Sequence, residues 1–522
     1  MRGNTAALVT LQPSSGIEEW AMAGADVLMG TPTGRWVLLA TISGSGLAML
    51  DATVVTIALR RIGADLDAGF GQLQWIVNAY TLTLAALILL GGALGDRFGR
   101  RRIFLVGVVW FAAASLLCGA APSAEFLVGA RALQGIGGAL LTPGGLAIIS
   151  ASFAAGDRAR AVGAWSGLGG LAGALGPFIG GWLVELNWRA VFLVNLPVAA
   201  FVVAVALRHV PETRDVDSPP GLDAAGTVLA AAALGALTYG LTTGFTTGAL
   251  GTIVLGLAAL VAFVLVERRS PHPLVPLDLF ADRRFSAVNV LTLLVYSALG
   301  VFFFLLVLQL QTVAGFSPLV SGTALLPVTV LMLLLSARAG ALAERIGPRI
   351  PLTAGPLLAA AGFLLTLRIG ADASYWVAVL PAAVVLGLGL SLTVAPLTAT
   401  VLASASQRHA GTASGVNNAV ARSAQLLAVA VIPVAAGIGG ADYTVPAAFD
   451  AGFDRAMTIS AALLVLGATV SAMLLREQAP APAPVPAFGL EPAHELQLAR
   501  CSHCGIPGPQ LHPAERTPTA PC

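Results

Sequence analysis

Long apolar runs recur along the whole chain at nearly regular intervals. A helix needs about 20 largely apolar residues to cross the hydrocarbon core of a bilayer. Charged residues make up only 10% of the chain and hydrophobic residues 57%, so polar groups cannot cover the folded surface, which must face lipid. The sequence predicts an all-α polytopic membrane protein with fourteen transmembrane helices. The predicted spans are 35–59, 72–94, 103–121, 125–152, 161–184, 189–208, 223–243, 248–266, 285–309, 319–341, 349–369, 375–402, 412–437 and 455–475.

The basic residues test this number of spans, because cytoplasmic loops carry an excess of Lys and Arg. All 28 basic residues are Arg. With the N-terminus inside, nineteen of them fall in the inner joints and flanks and five in the outer joints. This bias predicts a multi-pass protein with both termini in the cytoplasm. Abundant Ala and Gly without Lys favour a bacterial source, and hence the bacterial plasma (inner) membrane.

The two ends of the chain differ from the apolar body. Residues 1–34 lack the pattern of a secretory signal and are interpreted as a cytoplasmic leader. Residues 476–522 are rich in Pro and Ala, which predicts a disordered cytoplasmic tail. "CSHC" at 501–504 could hold zinc with nearby residues or be part of a solvated tail. A single CxxC is a weak signal, so no metal site is predicted.

Asp51 and Arg131 lie inside predicted spans, where charge is costly and usually functional. "AMLDATVVTIAL", residues 48–59, places Asp51 ~24 Å from the cytoplasmic end of the first helix. "RALQGIGG", residues 131–138, places Arg131 about six residues, or ~9 Å, from the outer end of the fourth. Asp51 could instead cap an outer turn or contact water without coupling anything. Arg131 could instead extend its charge to the interface.

Other polar residues in the spans are candidates for a central cavity or its vestibule. Arg422 lies near the middle of span thirteen and could pair across the cavity, bind an anionic group or meet helix carbonyls. An aromatic residue such as Trp75 could equally be an interfacial anchor. The possible cavity residues are Trp75, Asn78, Tyr80, Gln309, Gln311 and Arg422.

The joint between spans two and three reads "GALGDRFGRRRIF", residues 92–104. A basic cytoplasmic turn explains its arginines but not its Gly-x-x-x-Asp-Arg-x-Gly spacing. Here the chain resembles the major facilitator superfamily, in which this loop latches two halves on the cytoplasmic side. The matching residues are Gly92, Leu94, Asp96, Arg97, Gly99 and Arg100. A weaker second copy, "GALAERIGPR", contains Gly340, Glu344, Arg345, Gly347 and Arg349, as an internal repeat would leave.

Two further motifs match that superfamily. Arg131, Gln134 and Gly135 match its fourth-helix motif, which is linked to proton transfer. "GALGPFIGG", residues 173–181, resembles the antiporter motif of its exporters through Gly176, Pro177, Gly180 and Gly181. Glycines in a span also serve ordinary close helix packing, but symporters and uniporters of the superfamily generally lack this string. The motif therefore indicates export.

Three longer stretches resemble the fourteen-helix drug:proton antiporter branch, the second such family. They are "LDATVVTIAL" in span one, "NWRAVFLVNLP" at 187–197 and "QTVAGFSPLVSGTALLP" at 311–327. Thr56 and Arg60 depart from the branch, where Asn and Pro are usual. The resemblance runs from about residue 35 to 475 and implies that Asp51 and Arg131 couple transport to protons.

The resemblance also implies the domain organisation: two six-helix bundles with a helix pair inserted between them. The domains are a leader at 1–34, an N-terminal bundle at 35–208, a linker at 209–284 with extra helices at 223–243 and 248–266, a C-terminal bundle at 285–475, and a tail at 476–522.

The expected function is proton-coupled efflux of lipophilic small molecules, cations among them, by alternating access. A dedicated exporter of a self-made antibiotic or metabolite is the alternative, and a non-transporting sensor or scaffold is a remote one. No nucleophile–base constellation indicates an enzyme, and a chain without Lys cannot form an ATP-binding Gly-x-x-x-x-Gly-Lys loop. The expected partners are a drug-like substrate, protons and the bilayer, without nucleic acid. A monomer driven by the proton gradient, without a cofactor, is expected.

Overall fold

The computed structural model describes residues 27–215, 221, 223–243, 246–404, 410–439, 443 and 445–475. Most of the predicted leader and the predicted tail, including "CSHC", lie outside the described residues. All long elements of the described chain are helices, which run α1 Pro32–Asp65, α2 Phe70–Phe98, α3 Arg100–Gly119, α4 Ala124–Ser152, α5 Ala155–Leu186, α6 Ala190–His209, α7 Ala224–Thr242, α8 Thr247–Glu267, α9 Arg283–Thr312, α10 Pro318–Ile346, α11 Arg349–Arg368, α12 Tyr375–Ala403, α13 Ala410–Ala435 and α14 Pro446–Leu474.

The lengths of these helices fit a bilayer. Within the described residues, thirteen are long and apolar enough to cross a membrane. The remaining long helix is α5, with 32 residues. Helices suit a lipid environment because they satisfy every backbone polar group internally. The predicted all-α polytopic fold class is confirmed, with a helix at each of the fourteen predicted spans.

Local sequence signals explain where several helices begin and end. The Thr31 side chain accepts a hydrogen bond from the Gly34 backbone N–H at 3.1 Å, and Pro32 occupies the first turn of α1. Gly99 separates α2 from α3 with a φ of 111°, and Gly347 separates α10 from α11 with a φ of 81°. Side chains other than Gly rarely adopt such angles, so both copies of the repeated loop depend on a glycine at the turn.

The first six and last six helices pack in the same pattern. In the N-terminal half, α4 packs against α2 and α3, while α1 packs against α5 and α6. In the C-terminal half, α12 packs against α10 and α11, while α9 packs against α13 and α14. Each helix of the N-terminal half therefore corresponds to the helix eight positions later in the chain. Six of these positions span one half, and the inserted pair α7–α8 accounts for the other two.

The inserted pair lies on the outside of the two halves. Helices α7 and α8 pack against each other, and α7 also contacts α2 and α13. Only 11% of the most apolar window of α8 is buried, and large side chains such as Val254 and Leu255 are more than half exposed. Such a surface suits acyl chains, because a lipid-facing helix needs no protein partner for its apolar side chains.

Several helices extend further than the sequence predicted, α14 and α1 among them. Helix α14 begins at Pro446 rather than at 455, and α1 continues to Asp65 rather than ending near 59. Charged residues ended the apolar runs in both cases, but the backbone continues as a helix beyond the apolar core. The polar turn of α14 has a protein partner, since Gln309 donates a hydrogen bond to the Asp450 carboxylate.

The halves meet at the end of the bundle where α1 ends and α2 begins. Three hydrogen bonds join them among the described residues. Gln311 donates to the Ile57 carbonyl at 3.0 Å and Gln74 to the Val429 carbonyl at 2.8 Å. The third runs from the Tyr443 hydroxyl to the Ala68 carbonyl at 2.7 Å. The described polar contacts therefore close this end of the space between the halves.

Candidate functional site

A buried carboxylate, Asp51 on α1, lies at the centre of a polar cluster in the N-terminal half. Its side chain is fully withdrawn from solvent. It accepts hydrogen bonds from Arg131 on α4, from Gln134 Nε2 at 2.8 Å and from Asn195 Nδ2 on α6 at 3.2 Å. All three partners act as hydrogen-bond donors to the carboxylate oxygens.

Arg131 is held by contacts on several sides. Its Nε donates to the Ile76 carbonyl at 3.1 Å, and a terminal nitrogen donates to Gln134 Oε1 at 2.7 Å. The guanidinium carbon lies 4.3 Å from the centre of the Tyr80 ring, a cation–π distance. With 1% of its side chain exposed, Arg131 does not reach the membrane interface. The alternative of a side chain extended to the surface does not apply.

A second layer fixes the partners of Asp51. The Ser115 hydroxyl on α3 accepts from Gln134 Nε2 at 2.8 Å and from Asn195 Nδ2 at 3.2 Å. The Cys118 thiol donates to Gln134 Oε1 at 3.5 Å. Sequence reasoning missed Ser115 and Asn195. Asn195 carried a signal, since it is an amide in the apolar stretch "NWRAVFLVNLP"; a serine is too common in spans to stand out.

The cluster can change its charge state without losing its framework. Asp51 and Arg131 together are neutral in the observed state, which limits the cost of burying them. Protonation of Asp51 would leave Arg131 with its bonds to Gln134 and to the Ile76 carbonyl. Part of the framework around Arg131 therefore does not depend on its contact with Asp51. Gly135 lets α4 approach this region, because a Cβ there would contact the Tyr80 carbonyl.

The predicted antiporter motif packs against helices on two sides. A Cβ on Gly176 would collide with Thr53 on α1, and one on Gly180 would stand 3.0 Å from Val54. On the other side, a Cβ on Gly181 would stand 2.6 Å from Leu319 Cα on α10. The Pro177 carbonyl contacts Gly322 of α10. These small residues allow α5 to pack closely on α1, one turn from Asp51, and on the C-terminal half.

The first predicted gate loop is tied to the segment that follows α6. Asp96 forms an ion pair with Arg100 at 2.8 Å. Glu212, which sequence reasoning missed, accepts a hydrogen bond from the Arg101 backbone N–H at 3.0 Å and lies 3.7 Å from both the Arg101 and Arg102 side chains. The Arg100 N–H donates to the Thr213 carbonyl. Apart from the Asp96–Arg100 pair, which is internal to the loop, these contacts join the loop to residues 210–215 at the start of the linker.

The remaining residues of the two loops make fewer described contacts. Gly92 lies near Pro143 of α4, and Arg97 lies over the Phe98 ring. In the second loop, Gly347 forms the turn and Arg349 donates to the Ala472 carbonyl of α14 at 2.9 Å. Gly340 is half-buried, whereas Glu344 and Arg345 are exposed.

The possible cavity residues occupy different environments. Gln309 and Gln311 are buried in contacts between helices rather than in an open vestibule, because their amides bond to Ile369, Asp450 and Ile57. Trp75 faces the inserted pair, with its ring 6.2 Å from that of Tyr239. Of the other three residues, Tyr80 packs on Arg131, Asn78 is buried, and Arg422 is half-buried.

These features define a multi-pass membrane transporter with a buried ion pair in one of two similarly packed halves. The chain belongs to the Major Facilitator Superfamily, whose family model matches residues 41–429. It is a transporter and not an enzyme.

Curated relatives include named resistance and export proteins. The chain is 37% identical to the tetracenomycin C resistance and export protein of Streptomyces glaucescens, covering 76% of this chain and 75% of the relative. It is 36% identical to the probable actinorhodin transporter of Streptomyces coelicolor, with 82% and 77% covered. It is 35% identical to the multidrug efflux pump LfrA of Mycolicibacterium smegmatis, with 74% and 78% covered.

Solved structures share the fold at low sequence identity. A bacterial homolog of the human lysosomal transporter Spinster, solved in an inward-facing and unoccupied conformation, superposes with a TM-score of 0.61 at 19% identity, covering 87% of this chain and all of that one. The peptide transporter POT in complex with sulfate gives 0.63 at 16% identity, with 87% and 99% covered. These similarities concern the fold alone.

Proposed function

We propose that this protein exports lipophilic small molecules in exchange for protons by alternating access. The buried Asp51–Arg131 pair carries the proposal, because it is a titratable carboxylate held by donors inside a transporter. Release of the Asp51 proton forms the ion pair seen here, and uptake of a proton breaks it. The movement of the two halves that alternates access can then depend on whether Asp51 of α1 carries a proton.

The side that is closed identifies the state of the transport cycle. We take the end where α1 meets α2 as the outer side, since the arginine bias places the opposite end in the cytoplasm. The three hydrogen bonds between halves are then outer contacts, and the ionised Asp51 belongs to a state closed to the outside. A cytoplasmic substrate enters in this state, and a proton from outside reloads Asp51 after reversal.

Multidrug export and dedicated export of one antibiotic are both compatible with this cycle. The relatives include a protein named as a multidrug efflux pump and proteins named for single antibiotics. Multidrug export is our first proposal, and a self-resistance exporter is the alternative. In either case the protein acts as a monomer in the bacterial plasma membrane, with both termini in the cytoplasm and the proton gradient as its energy source.

Asp51→Asn tests the proton-coupling role. The amide matches the carboxylate in size but cannot titrate, so this variant should bind substrate and lose uphill transport. Uptake of ethidium into inside-out vesicles, driven by an imposed pH gradient, is the measurement. Asp372→Asn, which changes an exposed carboxylate in the loop before α12, is the control and should transport normally. Full gradient-driven uptake by Asp51→Asn would refute the proposal.

A further inference from the structure

Arg422 carries a positive charge that no carboxylate of the described chain balances. Its one described hydrogen bond goes to Gln425 Oε1 on its own helix, at 3.5 Å. The ion pairs of the described residues do not include it. A cation in the middle of a membrane-spanning helix is costly unless water or an opposite charge reaches it. The Arg422 guanidinium therefore requires water or an anion from outside the described protein.

The side chain of Arg422 faces the space between the halves. Helix α13 packs against α2 of the other half, where a Cβ on Gly415 would stand 3.0 Å from the Leu89 side chain. Arg422 follows Gly415 by seven residues, or about two turns, and so lies on the same face of α13. Tyr296 lies one turn before Gly300, the residue through which α9 packs against α13. Arg422 and Tyr296 are each half-buried rather than sealed. A molecule in this space can therefore reach both side chains.

The helix that presents Arg422 is firmly seated. Gly300 lets α9 approach α13 closely, because a Cβ on Gly300 would stand 2.9 Å from Gln425 Cα. The Ser297 hydroxyl donates to the Ala424 carbonyl at 3.4 Å. Asn417, which precedes Arg422 on α13, donates to Thr292 Oγ1 at 2.8 Å. The backbone around Arg422 is thus fixed, while its guanidinium is left without a strong protein acceptor.

The balance of charge decides the class of ligand. Asp51 is the only carboxylate in the middle third of any described helix, and Arg131 already balances it. Arg422 leaves this central region with one excess positive charge in the state with ionised Asp51. A guanidinium offers paired donors that match the two oxygens of a carboxylate. An apolar cation would gain nothing from it and would be repelled.

We propose that Arg422 is the binding residue for the acidic group of the substrate, and that this transporter favours amphiphilic organic anions, such as aromatic carboxylates and ionised phenols. The Tyr296 hydroxyl supplies a second donor beside it. This inference rests on the proposed export function and narrows its substrate class to one in which organic anions bind more tightly than lipophilic cations such as ethidium. Asp51 remains free to carry the proton, because a different residue binds the substrate.

Two dyes built on one xanthene ring system test the charge preference. Fluorescein is an anion at neutral pH, whereas rhodamine 123 is a cation. Fluorescence anisotropy titrations of the purified full-length protein in detergent give the Kd of each dye. The wild type should bind fluorescein more tightly than rhodamine 123. Arg422→Gln should weaken fluorescein binding about tenfold, the effect of losing one charge-assisted contact, without weakening rhodamine 123 binding.

Two further variants separate a binding role from a structural one. Arg422→Lys keeps the charge and should retain most of the fluorescein affinity. Arg338→Gln removes an exposed arginine of α10 that bonds to its own helix, and it should bind both dyes as the wild type does. Equal weakening of both dyes by Arg422→Gln, no fluorescein binding by the wild type, or a wild-type preference for rhodamine 123 would each overturn the inference.

The binding measurement is independent of the proton gradient. If gradient-driven ethidium uptake depends on Asp51 but the dyes show no charge preference at Arg422, only the substrate inference fails. If Asp51→Asn retains full uptake while Arg422→Gln selectively loses fluorescein, the coupling proposal fails and the binding site stands.

Discussion

Arg131 on α4 donates a hydrogen bond to the carboxylate of Asp51 on α1, and both side chains are shielded from solvent. The two helices run in opposite directions and enter the membrane from opposite sides, yet they bring these residues to one depth. Gln134 and Asn195 hold the same carboxylate from two helices. A proton bound at Asp51 therefore alters contacts that join α1, α4 and α6.

Replacing Arg131 tests how this pair couples transport to protons. In Arg131→Ala the buried Asp51 carboxylate loses its cationic partner, and breaking a buried pair in this way costs about 3–5 kcal/mol. The number of protons released per substrate bound, measured with a pH dye in detergent, should therefore fall well below the wild-type value. Uphill export should fall with it.

Arg131→Lys provides the comparison for this prediction. It keeps a positive charge near Asp51 but loses the fork of donors that also reaches Gln134 and the Ile76 carbonyl. Its substrate-induced proton release should lie between those of the wild type and Arg131→Ala. Wild-type proton release in Arg131→Ala would mean that another acid carries the proton, with Glu125 and Asp223 as the next residues to replace.

Asn195 should support the same proton release more weakly. Its amide donates to Asp51 Oδ1 at 3.2 Å, and Asn195→Ala removes this bond. A hydrogen bond to a charged group contributes about 1.5 kcal/mol at the lower end, less than a buried ion pair, so proton release should fall less than in Arg131→Ala. Asn289→Ala, which changes a buried asparagine of α9, should leave proton release unchanged. Equal losses in both variants would point to a general loss of packing.

The spans and the Asp51–Arg131 pair could be predicted from the sequence, because both depend on strong local signals. Each helix needs about 20 apolar residues, and a charge inside such a run is conspicuous. The Asp51–Arg131 contact was therefore expected from the motifs that contain the two residues. Their surroundings were not, because Ser115 and Asn195 become partners only through the packing of α3 and α6, which no single segment encodes.

Long-range contacts also explain why other polar residues were harder to place. Gln311 was grouped with cavity residues, yet it bonds to the Ile57 carbonyl across the halves. A buried amide looks the same in sequence whether it faces a cavity or a neighbouring helix. Glu212 was missed for a related reason. It follows α6 by a few residues, and its role depends on a loop more than a hundred residues earlier in the chain.

Glu212 should stabilise the first gate loop mainly as a cap. Its carboxylate accepts from the Arg101 N–H in the first turn of α3, where backbone donors lack helical partners. Glu212→Ala should lower the export rate about fivefold, since a lost cap costs ~1 kcal/mol. Glu212→Gln keeps an acceptor and loses only partly exposed ion pairs, so it should lower the export rate less than Glu212→Ala does. Vesicle uptake assays measure both. Glu344→Ala in the exposed second loop is the control, and equal loss there would contradict a specific role.

Gly180 tests whether the α5 motif acts through packing. A Cβ added at this position would stand 3.0 Å from Val54 Cα, and α1 carries Asp51 one turn away. Gly180→Leu should force α5 away from α1, because overpacking a tight contact costs about 1–3 kcal/mol. Export of every substrate should then fall together, by about tenfold, in uptake assays with fluorescein and ethidium.

Gly251→Leu supplies the matched control on α8, where a Cβ would meet nothing within 4 Å. It adds the same side chain on the lipid-facing inserted pair and should transport both dyes normally. Equal protein yield and equal elution on size exclusion show that both variants fold. A change of preference between the two dyes in Gly180→Leu, with total turnover intact, would show that this glycine shapes the substrate site instead. Because its neighbours are Val54 and the backbone of α1, we expect a uniform loss.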